Sequence, residues 1–361
     1  MRWKEAPTKA IVAPMRLFFI FTLSFLLTAC VKPEPLYNTQ SYIFGTLVDI
    51  TIYGEPEPRA QEVSNQIIHD FQDLHNRLHA WRPSELKTLN DEFSRGNSPV
   101  TIAPDIAVML SDATKLSIQS KGAFNPAIGG LIEAWGFHHD EFHSIKIDET
   151  KIKNLVHANP QMTDIVIKDG KVSSNNPAVQ VDLGGYAKGY ALDIALVSLR
   201  KQGIKNALVN IGGNIIALGK HGEKPWRVGI QHPRKPSAIA TLDLESGWAI
   251  GTSGDYQRFF ELNGKRYCHI IDPATGYPAQ GVQAVTVLIP PQINAGTLSD
   301  VTSKPIFIAK PETRAEAAKT MGVEYYLVIE SNNKVLVSPA MAKRLTWLDP
   351  LTAKNVTSNL Q

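Results

Sequence analysis

Several clusters of residues in this chain are of types able to do chemistry. The first runs Asp182-Leu183-Gly184-Gly185-Tyr186-Ala187-Lys188-Gly189-Tyr190, between a strand expected to end at Val181 and an expected helix. Adjacent glycines let a ligand approach the backbone closely. The first turn of a helix adds unpaired N–H groups and the positive end of the dipole, a ready site for phosphate. Lys188 stands where its charge opposes that dipole, a placement that makes sense with an anion bound. Taken alone, the same residues also describe a plain tight turn. Gly212-Gly213-Asn214, directly after another expected strand, repeats the pattern in a lesser form. The next cluster is centred on His269, followed by Asp272-Pro273 and Thr275-Gly276-Tyr277-Pro278. A histidine at a strand end can act as a general base because it titrates near neutrality; it can equally be a hairpin histidine beside a capping aspartate. Ser253, Asp255 and His269 are the types of a hydrolase triad, but the strained Gly-x-Ser-x-Gly elbow is missing, which excludes that idea. Residues 138–143 (His-His-Asp-Glu-Phe-His) look metal-rich yet lack regular ligand spacing, and read as an exposed polar loop. His75 and His79 are one helical turn apart, without the glutamate or third ligand of a zinc site.

Positioning these groups takes both strands and helices. Residues 43–53 alternate as a strand does. Over 59–80, Val63, Ile67, Phe71, Leu74 and Leu78 form an apolar stripe at helical spacing. A second helix is expected over 104–120, opened by Pro104-Asp105 and closed near Gly122. A third is expected over 186–202, with Tyr186, Tyr190, Ile194 and Val197 on one face and Gly203 at its end. Strands are expected at 206–211, 226–230, 240–252 and 283–289, a helix at 312–321, and paired strands near 324–338. Asn263-Gly264, flanked by apolar runs, predicts a two-residue hairpin turn inside 256–271. Hairpins mixed with isolated helices predict an α+β fold.

The N-terminal segment reads as an export signal. Residues 17–27 are apolar and uncharged, preceded by Arg16 and followed by Thr28-Ala29-Cys30. A charged start, a short apolar stretch and small residues are the layout of a secretory signal, and the run falls short of the roughly 20 residues that span a bilayer. The sequence ending in Cys30 is similar to the bacterial lipobox, which implies a lipid anchor on Cys30 and export to the periplasm or cell exterior. Met15 is an alternative start. Residues 30–42 are expected to be a tether, 43–350 the domain and 351–361 a tail. The net charge is +3 over 361 residues with no dense basic run, which argues against nucleic acid as a partner. Of two cysteines, Cys268 has no intrachain partner if Cys30 is lipidated, so the core must hold without disulfides.

Taken in order, these segments resemble the ApbE family, the FAD:protein FMN transferases. The matching pieces are Phe44-Gly45-Thr46, residues 81–90, 122–137, 182–193, 209–214, 226–233, 249–260 and 269–278. The resemblance implies a two-lobed α+β fold with mixed, largely antiparallel sheets and FAD in the cleft between lobes. It implies that Phe44, Trp81, Ala123, Phe124 and Asn125 line the flavin and adenosine parts, with Asp182, Lys188 and Ile271 as further FAD contacts. His269 matches the base, with Asp255 beside it in the catalytic set. The implied reaction is attack by a Ser or Thr hydroxyl of an acceptor protein, expected to be a membrane or periplasmic redox subunit, on the FMN-side phosphorus of FAD, releasing AMP. Family members usually place Mg²⁺ between an Asp and a Thr four residues later. Here Gly185 and Asp300 match metal positions, Lys304 stands where the Thr is usual and Ser303 one residue before it; a charged lysine cannot ligate Mg²⁺, so the resemblance implies Gly185, Asp300 and Ser303 as the metal set. Two other classes fit the same residues: a FAD-binding lipoprotein without transfer, and a pyrophosphatase giving FMN and AMP.

Overall fold

The chain enters its fold through a hairpin. β1 (Leu36–Ile43) and β2 (Thr46–Tyr53) pair antiparallel in unbroken register. The turn between them is Phe44-Gly45, with φ of 57° and 70°, the left-handed pair whose twist suits a two-residue hairpin. This computed structural model describes Met1, Trp3 and residues 34–96, 99–139 and 145–358; the apolar run at 17–27, Cys30 and residues 140–143 lie outside the described residues. The expected tether therefore ends early. Its residues 36–42 form an edge strand, and the single strand expected over 43–53 is half of a hairpin. Sequence hides such a strand because an edge position needs no continuous apolar face: β1 alternates exposed with half-buried residues up to Ile43.

Further along come α1 (Glu57–Arg77), α2 (Glu85–Arg95), β3 (Val100–Thr101), α3 (Pro104–Gln119), α4 (Gly129–Ala134), α5 (Glu149–Ala158), β4 (Ile165–Lys168), β5 (Lys171–Ser174), α6 (Ala187–Lys201), β6 (Ala207–Ile211), β7 (Asn214–Leu218), β8 (Trp226–Gln231), β9 (Ala238–Leu244) and β10 (Ala249–Gly254). There follow β11 (Phe259–Leu262), β12 (Lys265–Cys268), β13 (Ile271–Asp272), β14 (Tyr277–Pro278), β15 (Val282–Ile289), α7 (Ala295–Ile308), α8 (Arg314–Thr320), β16 (Tyr325–Glu330), β17 (Val335–Val337), α9 (Pro339–Ala342), β18 (Thr346–Trp347), α10 (Pro350–Lys354) and β19 (Val356–Ser358). Nine strands make the main sheet, in the order β1-β2-β6-β7-β10-β15-β16-β17-β19. Every pairing in it is antiparallel except β17 with β19. The expected tail thus supplies a helix and the sheet's last strand.

Both faces of the main sheet are covered, and period-two alternation sorts its side chains between two cores. On β15, Val285, Val287 and Ile289 join the core beneath α1, α2, α3 and α6. Ala284 and Leu288 face the other way, against Trp226, Val228 and Leu242 of the small sheet β18-β9-β8. A third cluster, built on Trp135, Phe137, Phe260 and Ile271, is the core of a smaller lobe that includes α4, α5 and the β11–β12 hairpin. The fold is α+β, as the sequence predicts.

Three element expectations need correction. Residues 240–252 are two strands in different sheets, β9 and β10, broken at Gly247 with φ of 84°. The helix at 187–201 buries Leu192, Ala195, Leu196 and Leu199; of the face read from Tyr186, Tyr190, Ile194 and Val197, Tyr186 is buried, Tyr190 and Ile194 pack partly buried against the core, and Val197 is 62 % exposed. And α7 was not expected at all. Eleven of its residues are buried and Pro305 lies within it, so it shows neither an amphipathic period nor helix-forming composition.

Candidate active site

A cavity of about 590 Å³ opens where the two lobes meet the edge of the main sheet. Its walls carry Phe44 from the first hairpin, Trp81 after α1, the Ala123–Asn125 loop, the glycine turn before α6, the His269–Ile271 segment, and Asp300 with Lys304 from α7. Residues more than two hundred positions apart therefore converge on one space.

The glycine turn is held from both sides. Asn90 on α2 brackets Val181 like a strand partner: its Oδ1 accepts the Val181 N–H at 2.7 Å and its Nδ2 donates to the Val181 carbonyl at 2.9 Å. Next to it, the Asp182 carboxylate accepts the Gly184 N–H at 2.7 Å and the Trp81 indole N–H at 3.3 Å. Asp182 thus ties the turn to the aromatic wall. Gly184, Gly185 and Lys188 face the cavity, but no side chain of the turn itself caps α6. That role falls to Asp300, whose Oδ2 accepts the Gly189 N–H at 3.1 Å. Gly212-Gly213, by contrast, is the tight turn between β6 and β7, with φ of 58° and 93°; Gly212 lines the cavity, but no helix follows to offer its N-terminus to a phosphate.

Phe44 is a bulky residue at positive φ, a conformation that costs on the order of 1–3 kcal/mol and persists where neighbours impose it. Phe71 and His75 do so here, with ring centroids 6.0 and 5.6 Å from its own. Asn125 lines the cavity, yet its side chain is spent internally: Nδ2 donates to the Pro160 carbonyl and Oδ1 accepts the Ala127 N–H. It shapes the loop that presents Ala123 and Phe124. His79 accepts the N–H groups of Trp81 and Arg82 on Nδ1, which makes it a turn-former past the end of α1.

His269 sits between β12 and β13. Its Nδ1 lies 3.2 Å from the Arg258 carbonyl. A carbonyl can only accept, so Nδ1 carries the hydrogen and Nε2 is left with its lone pair. Burial, with the positive charges of Arg258 and Lys188, pushes the imidazole down to about 3. It is neutral over the physiological range. Asp255 is not beside it in the cavity. Arg234 takes both Asp255 oxygens at 2.6 and 2.7 Å, so this carboxylate is a structural ion pair. Burial likewise pushes the Cys268 thiol up to about 12, leaving it unreactive at neutral pH.

The cationic wall is the least expected feature. Lys304 Nζ donates to Asp300 Oδ1 at 2.8 Å and to the Asp300 carbonyl at 2.6 Å. Lys188 Nζ lies 3.4 Å from Asp300 Oδ2 and donates to the Gly184 carbonyl at 3.1 Å. Burial works against ionisation of Asp300, yet the two ammonium groups hold its carboxyl below the usual range. Burial also draws Lys304 down, against the pull of Asp300. A Cβ built on Gly185 would stand 2.7 Å from Lys304 Cε, so the lysine stem lies against that glycine. Ser303 points elsewhere: its hydroxyl donates to the Asp300 carbonyl at 2.9 Å and lies 2.7 Å from Ser253 Oγ, in the core. Lys304 fills the space between Gly185 and Asp300, and Ser303 does not line the cavity.

Two wall residues escaped the sequence reading. Arg258 lines the cavity beside His269 and donates from Nη2 to the Phe137 carbonyl. His138, expected in an exposed loop, lies with its ring 5.4 Å from Trp81. Neither carries a local signal, since only the approach of the two lobes brings them to the wall.

Residues 44–327 match the ApbE family. A FAD:protein FMN transferase of Rhodobacter capsulatus is 39% identical over 313 residues, which cover 87% of this chain and 59% of that longer protein. Another, from Haemophilus influenzae, is 28% identical over 331 residues, 89% of this chain and 94% of the relative. Among solved structures, the fold is similar to the ApbE protein of Thermotoga maritima, with a TM-score of 0.75 and 28% identity over 86% of this chain and 99% of that one. It is also similar to the flavin transferase ApbE of Vibrio cholerae, with a TM-score of 0.74 and 25% identity over 86% and 100% of the two chains.

Proposed function

Because the chain belongs to the ApbE family, we propose that it transfers FMN from FAD to a Ser or Thr hydroxyl of an acceptor protein and releases AMP. The observation that carries the reading is the unprotonated Nε2 of His269 in the same cavity as the Lys188 and Lys304 ammonium groups. The acceptor oxygen bonds to the FMN-side phosphorus, and the bridging P–O bond breaks with its electron pair going to AMP. His269 Nε2 takes the hydroxyl proton, and its fixed Nδ1–H bond to Arg258 holds the ring for that task. The lysines meet the negative charge of the pyrophosphate, the main demand of phosphoryl transfer. Phe44, Trp81 and Phe124 offer flat faces or edges to a ring system. Asp182, Ala123, Asn125 and Ile271 shape the walls on which FAD would lie. The Mg²⁺ that the family resemblance implies does not fit these residues, since Lys304 lies where it would be held and Ser303 is bonded inside the core; no step is assigned to it.

The signal-like stretch and Cys30 support a chain exported and lipid-anchored, facing the periplasm or cell exterior, with an acceptor that is a membrane or periplasmic redox subunit. Among the described residues no helix is long and apolar enough to cross a membrane.

Incubating the full chain in detergent with FAD and a candidate acceptor domain tests the reading, with intact-mass spectrometry of the acceptor and chromatography of the nucleotides. An acceptor gaining the mass of FMN, in step with AMP, is expected. Free FMN and AMP without adduct would replace transfer by hydrolysis, and bound, unchanged FAD would leave a flavin carrier.

A further inference from the structure

One carboxylate in the cavity wall serves two ammonium groups. Asp300 Oδ1 accepts from Lys304 and Oδ2 pairs with Lys188, so the formal charge of this trio is a single positive. Each ammonium has three hydrogens. Lys304 spends two on the carbonyl and carboxylate of Asp300; Lys188 spends one on the Gly184 carbonyl and lies in ion-pair contact with Asp300. Lys304 thus keeps one donor and Lys188 two. Both side chains keep an outer face at the cavity, with 15% exposure for Lys304 and 25% for Lys188. An octahedral Mg²⁺ needs oxygens about 2.1 Å away, and the place beside Asp300 Oδ1 is filled by the Lys304 ammonium with its stem on Gly185. Seating a dication there would turn Lys304 out and leave two further positive charges beside it.

We propose that Lys304 stands in for the divalent cation: its ammonium, together with that of Lys188, holds the FAD pyrophosphate, so that this chain binds FAD and transfers FMN without a divalent metal. The inference rests on the reading of the cavity as the FAD site. Lys304 forms and breaks no covalent bond. It donates a charge-assisted hydrogen bond to a phosphate oxygen while the acceptor oxygen adds to phosphorus, AMP departs with the bridging electron pair, and His269 takes the proton. The position suits the role because Lys304 is fixed on α7, and α7 is locked to α6 beside the glycine turn.

The test uses the full chain with FAD, in EDTA and in Mg²⁺, and reads FAD affinity by flavin fluorescence separately from adduct mass. Wild type is expected to bind FAD equally in both and to form adduct in EDTA. Lys304→Met should bind FAD at least about tenfold more weakly, the loss of one charge-assisted contact, and Mg²⁺ should not restore it. Lys304→Arg should keep most of the affinity, and circular dichroism reports whether each variant is folded. Lys304→Thr restores the family's usual residue; it should lose affinity in EDTA, regain it in Mg²⁺, and bind Mn²⁺ by electron paramagnetic resonance where wild type does not. Wild-type FAD binding that collapses in EDTA and returns with Mg²⁺ overturns the proposal, as does a folded Lys304→Met with wild-type affinity. Metal-independent FAD binding with no adduct in either EDTA or Mg²⁺ supports the role of Lys304 in holding the pyrophosphate and sinks the transferase reading instead; adduct in Mg²⁺ but not in EDTA overturns the metal-free transfer.

Discussion

His269 shows how one side chain takes its chemistry from its neighbours. The Arg258 carbonyl dictates the tautomer, and burial with nearby positive charge keeps the ring neutral down to about pH 3. His269→Gln should leave FAD affinity near wild type and lower the rate of adduct formation by roughly 10²–10⁴-fold; equal losses in binding would make it a binding residue instead. The pH profile follows in sign. The base form is already present below the ordinary histidine value of 6.5, so kcat/KM for FAD should stay level as pH falls through 6.5, over the range in which circular dichroism is unchanged. A half-loss centred near 6.5 would show an imidazole that titrates as in solution. The unfolded chain protonates this histidine near 6.5 and the folded one near 3, so its linkage lowers stability as pH falls between those values. Phe44 is the other telling residue. Asn-Gly would suit its turn better, yet a phenylalanine is held there at positive φ, facing the cavity. Phe44→Leu should weaken FAD binding by up to about tenfold, the scale of one aromatic contact, with the far-ultraviolet circular dichroism unchanged. His269 sits at the end of a hairpin that the sequence predicts, whereas Phe44 lies in a turn where the alternation predicts strand, and only the family resemblance singles it out. Arg258 and His138 could not be placed at the site from sequence, as their neighbours give no hint of a shared wall.

At the level of elements, the site depends on the crossing of α6 and α7. Each helix lends an aspartate to the other's first turn. Asp300 of α7 accepts from Gly189, and Asp193 of α6 accepts from the N–H groups of Gly296 and Thr297 at 2.7 and 2.8 Å. The backbones touch: a Cβ on Gly189 would stand 2.4 Å from the Gly296 carbonyl and 2.7 Å from Thr297 Cα. Gly189→Ala must therefore push the helices apart and move Lys304. It should cost about 1–3 kcal/mol, as overpacking does, visible as a lower Tm together with weaker FAD binding; an unchanged Tm would mean the crossing is looser than described. Asp193→Ala leaves two N–H groups of α7 without their acceptor and should cost about 1–2 kcal/mol, measured by thermal unfolding. Burial raises Asp193 to about 6 against these hydrogen bonds. Its folded value lies above the unfolded one, so its contribution to stability declines as pH rises towards 6. Of the two helices, α6 was readable from its flanking glycines. α7 was not, since a helix buried on nearly all sides has no polar stripe to reveal its period.

Over the whole molecule, the smaller lobe sets where His269 stands relative to the cationic wall. Trp135, fully buried, stacks on Tyr267 and Phe260, and its indole N–H donates to the Gly276 carbonyl at 2.7 Å. It thereby ties α4 to the segment that carries His269. Trp135→Phe keeps most of the ring but not that bond. It should lower Tm modestly, by about 1–3 kcal/mol of lost packing and an unpaired carbonyl, and slow transfer more than it weakens FAD binding; unaltered transfer in a destabilised variant would confine Trp135 to the core. Several features of this protein were legible in its residues alone: the α+β class, the glycine turn and the hairpin at Asn263-Gly264. Each depends on short-range preferences, such as turn geometry, apolar period and side-chain chemistry, that act over a few positions; the roles of His269 and Lys304 were read only through the family resemblance. Other features arose on folding. The edge strand β1 and the buried helix α7 take their form from partners far along the chain. Asp255 was drawn into an ion pair with Arg234, Asn125 was spent on its own loop, and Ser303 was turned into the core. Whether Asp300 faces a metal or two lysines depends on which side chains share its few ångströms of space, and that is set by the packing of α6 against α7.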